Sequence, residues 1–269
     1  MLEFSLTIYN ALKNAVQKVY TFLHLETHES TTGRPLAIST VDSITLAIFK
    51  QKQNIATKQS LFDMVNPSCS YKTFVEGINR AGAYLVLFIA LILKTNRKAS
   101  HLLKFTDSTD IPVCLNKNAR TNRTMRGLAS WSKTGKGWFY GLKLHCTADL
   151  EGRVLAIRIT SGNSSDRRVF RKMNDLLRGI FVADAGYISE ELERDFFIEN
   201  ERIALITPRA NMKKIATPLQ NFLQSLRMKI EPHFREMKLF QGLVTSLPRS
   251  LNGMFTHYLA SIAAHLIIA

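Results

Sequence analysis

The run Ile180–Phe181–Val182–Ala183 constrains this chain more than any other stretch. Successive side chains of a strand point to opposite faces, so four consecutive apolar residues need cover on both. Such a strand belongs in a parallel sheet with helices on each side. The neighbouring sequence supplies those elements. Leu102 to Val113 is rich in β-formers and predicts a first strand, with Pro112 near its end. Trp138–Thr147 and Arg153–Thr160 predict two more, joined into a hairpin by the Glu151–Gly152 turn. A loop of capping residues, Ser161–Asp166, leads into a helix that runs to about Leu177. The apolar strand follows, then a helix capped by Ser189 with Glu190 and Glu191 in its first turn. Arg202 to Thr207 predicts a fifth strand, and helices fill most of the rest.

Three antiparallel strands followed by alternating helix and strand give an α/β chain. Its expected core is a ribonuclease H-like mixed five-stranded sheet flanked by helices. In that fold, acids on the first strand, the fourth strand and the last helix meet at one edge of the sheet. Asp107, Asp184 and Glu231 fall on those three elements. Oxygen ligands suit Mg²⁺, and two such ions can clamp the attacking and leaving oxygens of a phosphodiester. Two rivals exist. Glu236 lies five residues from Glu231 on another helical face, and Asp110 points away from Asp107 across the first strand.

Residues 1–100 predict a small all-α region ahead of the catalytic region 101–269. Leu12, Val16, Val19, Tyr20 and Leu23 recur at helical spacing, and 26–35 is a polar loop. A second helix starts after Thr40, a third covers about Thr57 to Met64, and a fourth opens at Ser70. Several short helices with a basic last member fit a helix-turn-helix-like DNA-binding unit or a plain supporting bundle. The apolar stretch Ala81–Leu93 is short for a bilayer and reads as a buried helix, so no membrane segment is expected. The run from Tyr258 to Ala269 reads as a packed terminal helix.

The formal net charge of +15 favours a polyanionic partner, nucleic acid above all. Cys69, Cys114 and Cys146 show neither metal spacing nor a disulfide framework, which fits a reducing cytoplasm. The N-terminus lacks a signal-peptide pattern. Segment 115–137 is the clearest DNA surface. Lys117, Arg120, Arg123, Arg126, Lys133 and Lys136 occur there without an acid from Lys117 to Lys136, and Trp131 offers an indole for stacking. Asn116, Asn118, Asn122, Ser130 and Ser132 add possible phosphate donors, and Lys213 and Lys214 extend the patch. Strand parity puts Lys143 and His145 on one face near the first strand, either reaching the phosphate or, for the histidine, sitting in the core.

Four blocks in order carry a family resemblance. They are Thr106–Thr109 with Ile111–Cys114; Gly137–His145; Thr160–Asn163 with Asp166; and Ala183–Ile188. A last block joins Arg227, Ile230, Glu231, Phe234 and Lys238. Together they resemble the DDE transposases of bacterial insertion sequences, most closely the insertion-sequence 982 group. Arg227, Glu231 and Lys238 look like the arginine–glutamate–lysine part of that signature, at i, i+4 and i+11, with Gln224 where a tyrosine commonly stands.

The resemblance implies a Mg²⁺-dependent transposase of the bacterial cytoplasm and nucleoid, with Mn²⁺ as a substitute ion. Asp107 would bridge two ions, and Asp184 and Glu231 would each hold one. Arg227 and Lys238 would contact DNA near the reacting phosphate, unless they merely pair with Glu231 on a solvated face. Double-stranded DNA, both terminal inverted repeats and target, is the implied partner, bound by a homodimer. A structure-selective nuclease of the same fold and a domesticated DNA-binding protein that no longer cuts are the alternatives.

Overall fold

The computed structural model describes residues 5–29, 32–33, 35–184, 187, 194, 202–206 and 217–267. The chain divides into two compact units, residues 1–91 with 236–269, and residues 92–235. The sequence reading grouped 236–269 with the sheet, whereas these residues cluster with the N-terminal helices.

The helical unit is built around α2 (Thr40–Lys52), which packs against both α1 (Leu6–Phe22) and the C-terminal α8 (Leu251–Leu266). Being covered on two sides, α2 buries residues all round, Ile44, Ile48 and Phe49 among them, instead of along one stripe. Ser39 caps it by accepting from the Asp42 amide at 3.0 Å. Asp42 then accepts from the Tyr9 hydroxyl at 2.7 Å and pairs with Lys13 at 2.6 Å, tying α1 to the start of α2.

Short α3 (Lys58–Val65) leads to α4 (Tyr71–Lys98), 28 residues long, whose last residues continue into the second unit. Phe74, Ile78, Ala81, Leu85 and Phe88 form its buried stripe at helical spacing. Val86 and Leu87, inside the apolar stretch, are exposed. By length and composition alone, α4 is the one helix among the described residues that could cross a membrane.

The second unit holds a six-stranded mixed sheet with the strand order of the ribonuclease H-like fold. Central β1 (Leu103–Pro112) pairs antiparallel with β3 (Gly137–Asp149) on one side and parallel with β5 (Ile180–Ala183) on the other. β6 (Ile203–Ile206) extends the parallel side, and β4 (Val154–Ser161) pairs with the C-terminal half of β3. The β3–β4 turn is fixed by buried Asp149, which accepts from the amides of His101, Glu151 and Arg153. Phe181, Val182 and Ala183 are fully enclosed, as the apolar run requires. Phe170, from α5 (Asp166–Met173), closes one face together with Leu155 and Tyr187.

Three elements differ from expectation. A sixth strand, β2 (Ser130–Thr134), forms inside the basic segment and pairs with the N-terminal half of β3. Helix α5 stops at Met173, short of Leu177; after it the buried Asn174 accepts from the Thr147 hydroxyl at 2.7 Å. The late helix is broken into α6 (Pro218–Leu226), a 3₁₀ turn (Arg227–Ile230) and α7 (Glu231–Leu239). Pro232 explains the break, because it has no N–H to give the Met228 carbonyl that an uninterrupted α-helix would pair with it. The helix expected from Ser189 and the pair Lys213–Lys214 lie outside the described residues.

Candidate active site

The register of β1 and β5 builds the centre of the site. Leu103 pairs with Ile180 and Thr106 with Ala183, so Asp107, within β1, and Asp184, just past the end of β5, each follow the last registered pair. Parallel neighbours run about 4.8 Å apart. Asp107 is half-buried and Asp184 is exposed where β5 ends.

Burial pushes the Asp107 carboxyl above its usual range, and the like charge of Asp184 adds to the push. Arg227 and the Ser108 amide oppose it. Arg227 Nη1 donates to Asp107 Oδ2 at 2.6 Å, and the Ser108 amide donates to Oδ1 at 2.8 Å. Cys146, directly across β1–β3 from Asp107, is enclosed, and burial drives its thiol up to about 12. It is an inert floor and no nucleophile.

Glu231 does not join the two aspartates. Among the described residues, no group of three or more His, Cys, Asp or Glu side chains stands close enough to hold a metal ion. The 3₁₀ turn accounts for this. Four α-helical steps would set Glu231 roughly 40° round the axis from Arg227. Four 3₁₀ steps set it roughly 120° away. Arg227 therefore lies on Asp107 while Glu231 is exposed, and the single face expected of Arg227, Glu231 and Lys238 does not form. Lys238 lies on α7 among the residues that cluster with the helical unit. The donor set still fits a hard divalent cation at its core. Asp107 and Asp184 bring two like-charged carboxylates near enough to repel, and Asp107 already takes a positive group on Oδ2.

The opposite face of the sheet carries a second polar group centred on Asp166, the first residue of α5. Its carboxylate accepts from Lys143 Nζ at 3.1 and 3.2 Å and from the Ser108 hydroxyl at 3.2 Å. His145 Nδ1 lies 3.7 Å from it, and His145 Nε2 meets the Thr160 hydroxyl at 2.9 Å. The structure thus corrects the reading of His145 as a DNA contact. It is 1% exposed, and burial lowers its pKa to about 4 despite Asp166. Lys143 is half-buried and already paired. Asp166 is the residue whose role the sequence left unread: it stood in the third motif block, but only the fold shows what it holds.

The basic segment is ordered from below and charged on top. Ala119, Met125 and Ala129 are buried pins, while Lys117, Arg120, Arg123, Arg126, Lys133 and Lys136 are all exposed. Several expected phosphate donors are committed to structure. Asn116 donates to the Trp138 carbonyl at 2.7 Å, Asn122 accepts from the Met125 amide, and Ser130 accepts from the Ser161 hydroxyl at 2.7 Å. In the β2–β3 hairpin Trp131 faces Tyr140 and Lys133 faces Trp138, so two exposed indoles and a lysine share one face. The sequence reading included Trp131 but passed over Trp138.

Residues 97–250, more than half of the chain, match the family described as "Transposase DDE domain". The chain belongs to that family. In this transposase DDE domain the matched stretch contains Asp107, Asp184 and Glu231. No curated protein in the comparison matches the chain. One similar solved chain comes from "Crystal structure of the Mos1 mariner paired end complex with Mn". It is 11% identical, with 77% of this chain and 80% of that chain covered, at a TM-score of 0.22. A likeness that loose carries no argument about the site.

Proposed function

We propose that this DDE transposase cuts DNA strands at the ends of an insertion sequence and joins them to target DNA, as a member of the insertion-sequence 982 group. The observation that carries the reading is that Asp107 and Asp184 directly follow the paired residues Thr106 and Ala183 of adjacent parallel strands, within a stretch that matches the family.

Asp107, Asp184 and Glu231 would hold the divalent cations, Mg²⁺ with Mn²⁺ as a substitute. Such ions would supply Lewis acidity at the attacking and leaving oxygens. The chain's own groups position and exclude. Arg227, once released from Asp107, is placed to meet a phosphate oxygen through its planar fork. For Glu231 to join the aspartates, the segment around the 3₁₀ turn has to rotate, and the Pro232 break is where it yields.

The exposed cations of 117–136 and the Trp131–Trp138 face fit double-stranded DNA, both terminal inverted repeats and target. The N-terminal helices would serve as a further DNA-binding region. Two subunits would pair two ends, in the bacterial cytoplasm.

The test incubates the full chain with Mg²⁺, end duplexes from the DNA flanking its gene, and a supercoiled target. Joined product is the expected result. Cutting without joining would favour a structure-selective nuclease, and binding without either would favour a DNA-binding protein that no longer cuts.

A further inference from the structure

The helical unit contains a cavity of about 620 Å³ with a largely apolar wall into which several cationic side chains are set. Lys50, Lys58, Lys72 and Arg249 line it, and Glu76 is the one acid among the lining residues. Lys50 is the informative member. It is only 5% exposed, yet among the described residues its ammonium has no hydrogen-bond or ion-pair partner. Its stem is enclosed while its ammonium opens into the cavity, so the charge faces whatever occupies that space. Burial, with Lys58 nearby, lowers Lys50 to about 8, and burial alone lowers Lys58 to about 8. Both groups thus remain mostly protonated at neutral pH.

The backbone agrees with the side chains. Three helices begin at this cavity, α3 at Lys58, α4 at Tyr71 and α8 just after Ser250. Each brings the positive end of its dipole and the amides of its first turn. Thr57, Ser70 and Ser250 each cap one of those amides, which leaves others of the first turn for a ligand. His257 adds no charge. Its Nε2 donates to the Gly242 carbonyl at 2.7 Å, its Nδ1 accepts from Gln51 at 2.8 Å, and its pKa is lowered to about 4.

We propose that this cavity is a phosphate-binding site, with Lys50 and Lys58 as its anchoring cations, that takes either a backbone phosphate of DNA or a free phosphate. It lies wholly within the helical unit and is independent of the aspartate pair.

The test uses the full chain, Lys50→Met and Lys58→Met. Methionine keeps the apolar stem in both variants; Lys50→Met removes a charge from an enclosed residue, and Lys58→Met removes the half-buried Lys58 donor to Asn79 Oδ1, so both are expected to fold. In thermal unfolding, inorganic phosphate should raise the wild-type Tm by about 2–5 °C over chloride at equal ionic strength, and should raise neither variant. In a second arm, fluorescence anisotropy measures a duplex of arbitrary sequence. If DNA supplies the phosphate, each variant binds it about 5–10-fold more weakly and the salt slope falls by about 1. If the ligand is free phosphate, the thermal shift depends on Lys50 while duplex affinity does not. The proposal is overturned if neither the phosphate-specific shift nor duplex affinity changes in either variant. Mn²⁺ binding to the full chain without DNA should be the same in Lys50→Met as in wild type, so a failure here is distinct from a failure of the transposase reading.

Discussion

Arg227 and Asp107, 120 residues apart in the chain, meet through a 2.6 Å contact between Nη1 and Oδ2. The guanidinium occupies the carboxylate that the proposed chemistry needs for a cation, and burial still outweighs it in setting the titration of Asp107. For a carboxyl raised in the fold, the contribution to stability is fully present below the unfolded value and is lost as pH rises through the folded one. Asp107→Asn should therefore be more stable than wild type at pH 7, with the difference shrinking towards pH 3. Urea unfolding across that range checks it. A variant less stable at pH 7 would mean that the Arg227 contact outweighs burial.

The two buried histidines act in the opposite sense. His145 and His257 are both lowered to about 4, so each must stay neutral for the fold to stand. Their contribution is present above the ordinary histidine value and is lost as pH falls through about 4. Unfolding at pH 7, 5.5 and 4 should show a steep fall in stability over this window. His145→Asn, and separately His257→Gln, should flatten it.

Much of this architecture was legible from pattern alone. Phe181, Val182 and Ala183 could only be central, and the Glu151–Gly152 turn fixed a hairpin, so the order of the sheet followed. The position of Asp184 at the end of that strand was legible for the same reason. What escaped depended on contacts between distant segments. β2 has exposed Trp131 and Lys133 on its outer face, so its hydrophobic period is weak and it read as loop. His145 looked available by parity until α5 brought Asp166 against it. Pro232 was visible in the sequence. Its effect on the Arg227–Glu231 angle was missed because the motif spacing assumed an unbroken helix.

Gly141 offers a test of the β1–β3 contact. A Cβ there would run into the Ile111 carbonyl on the paired strand. Gly141→Ala should separate the strands next to the site and cost about 1–3 kcal/mol, as overpacking does. Chemical denaturation measures the loss, and wild-type stability would show that β1 can move aside freely.

The basic face predicts how DNA binding responds to salt. Replacing Arg120, Arg123 or Lys133 with Gln should weaken binding to any duplex and lower the salt slope by about 0.9 per lost phosphate contact. Trp131→Ala and Trp138→Ala should each cost about 1–3 kcal/mol on single-stranded DNA, with little change in slope. Anisotropy titrations over a range of salt distinguish the two behaviours.

The direct test of the proposed metal site is calorimetric titration of Mn²⁺ into the full chain and into Asp107→Asn, Asp184→Asn and Glu231→Gln, with and without an end duplex. The proposed site predicts Mn²⁺ binding that is weakened at least about a hundredfold by either aspartate change, since even outer partners of a metal ligand matter by 10–100-fold. The Glu231 change should be felt only when DNA is present. Mn²⁺ binding that is equally tight in wild type and both aspartate variants would contradict it.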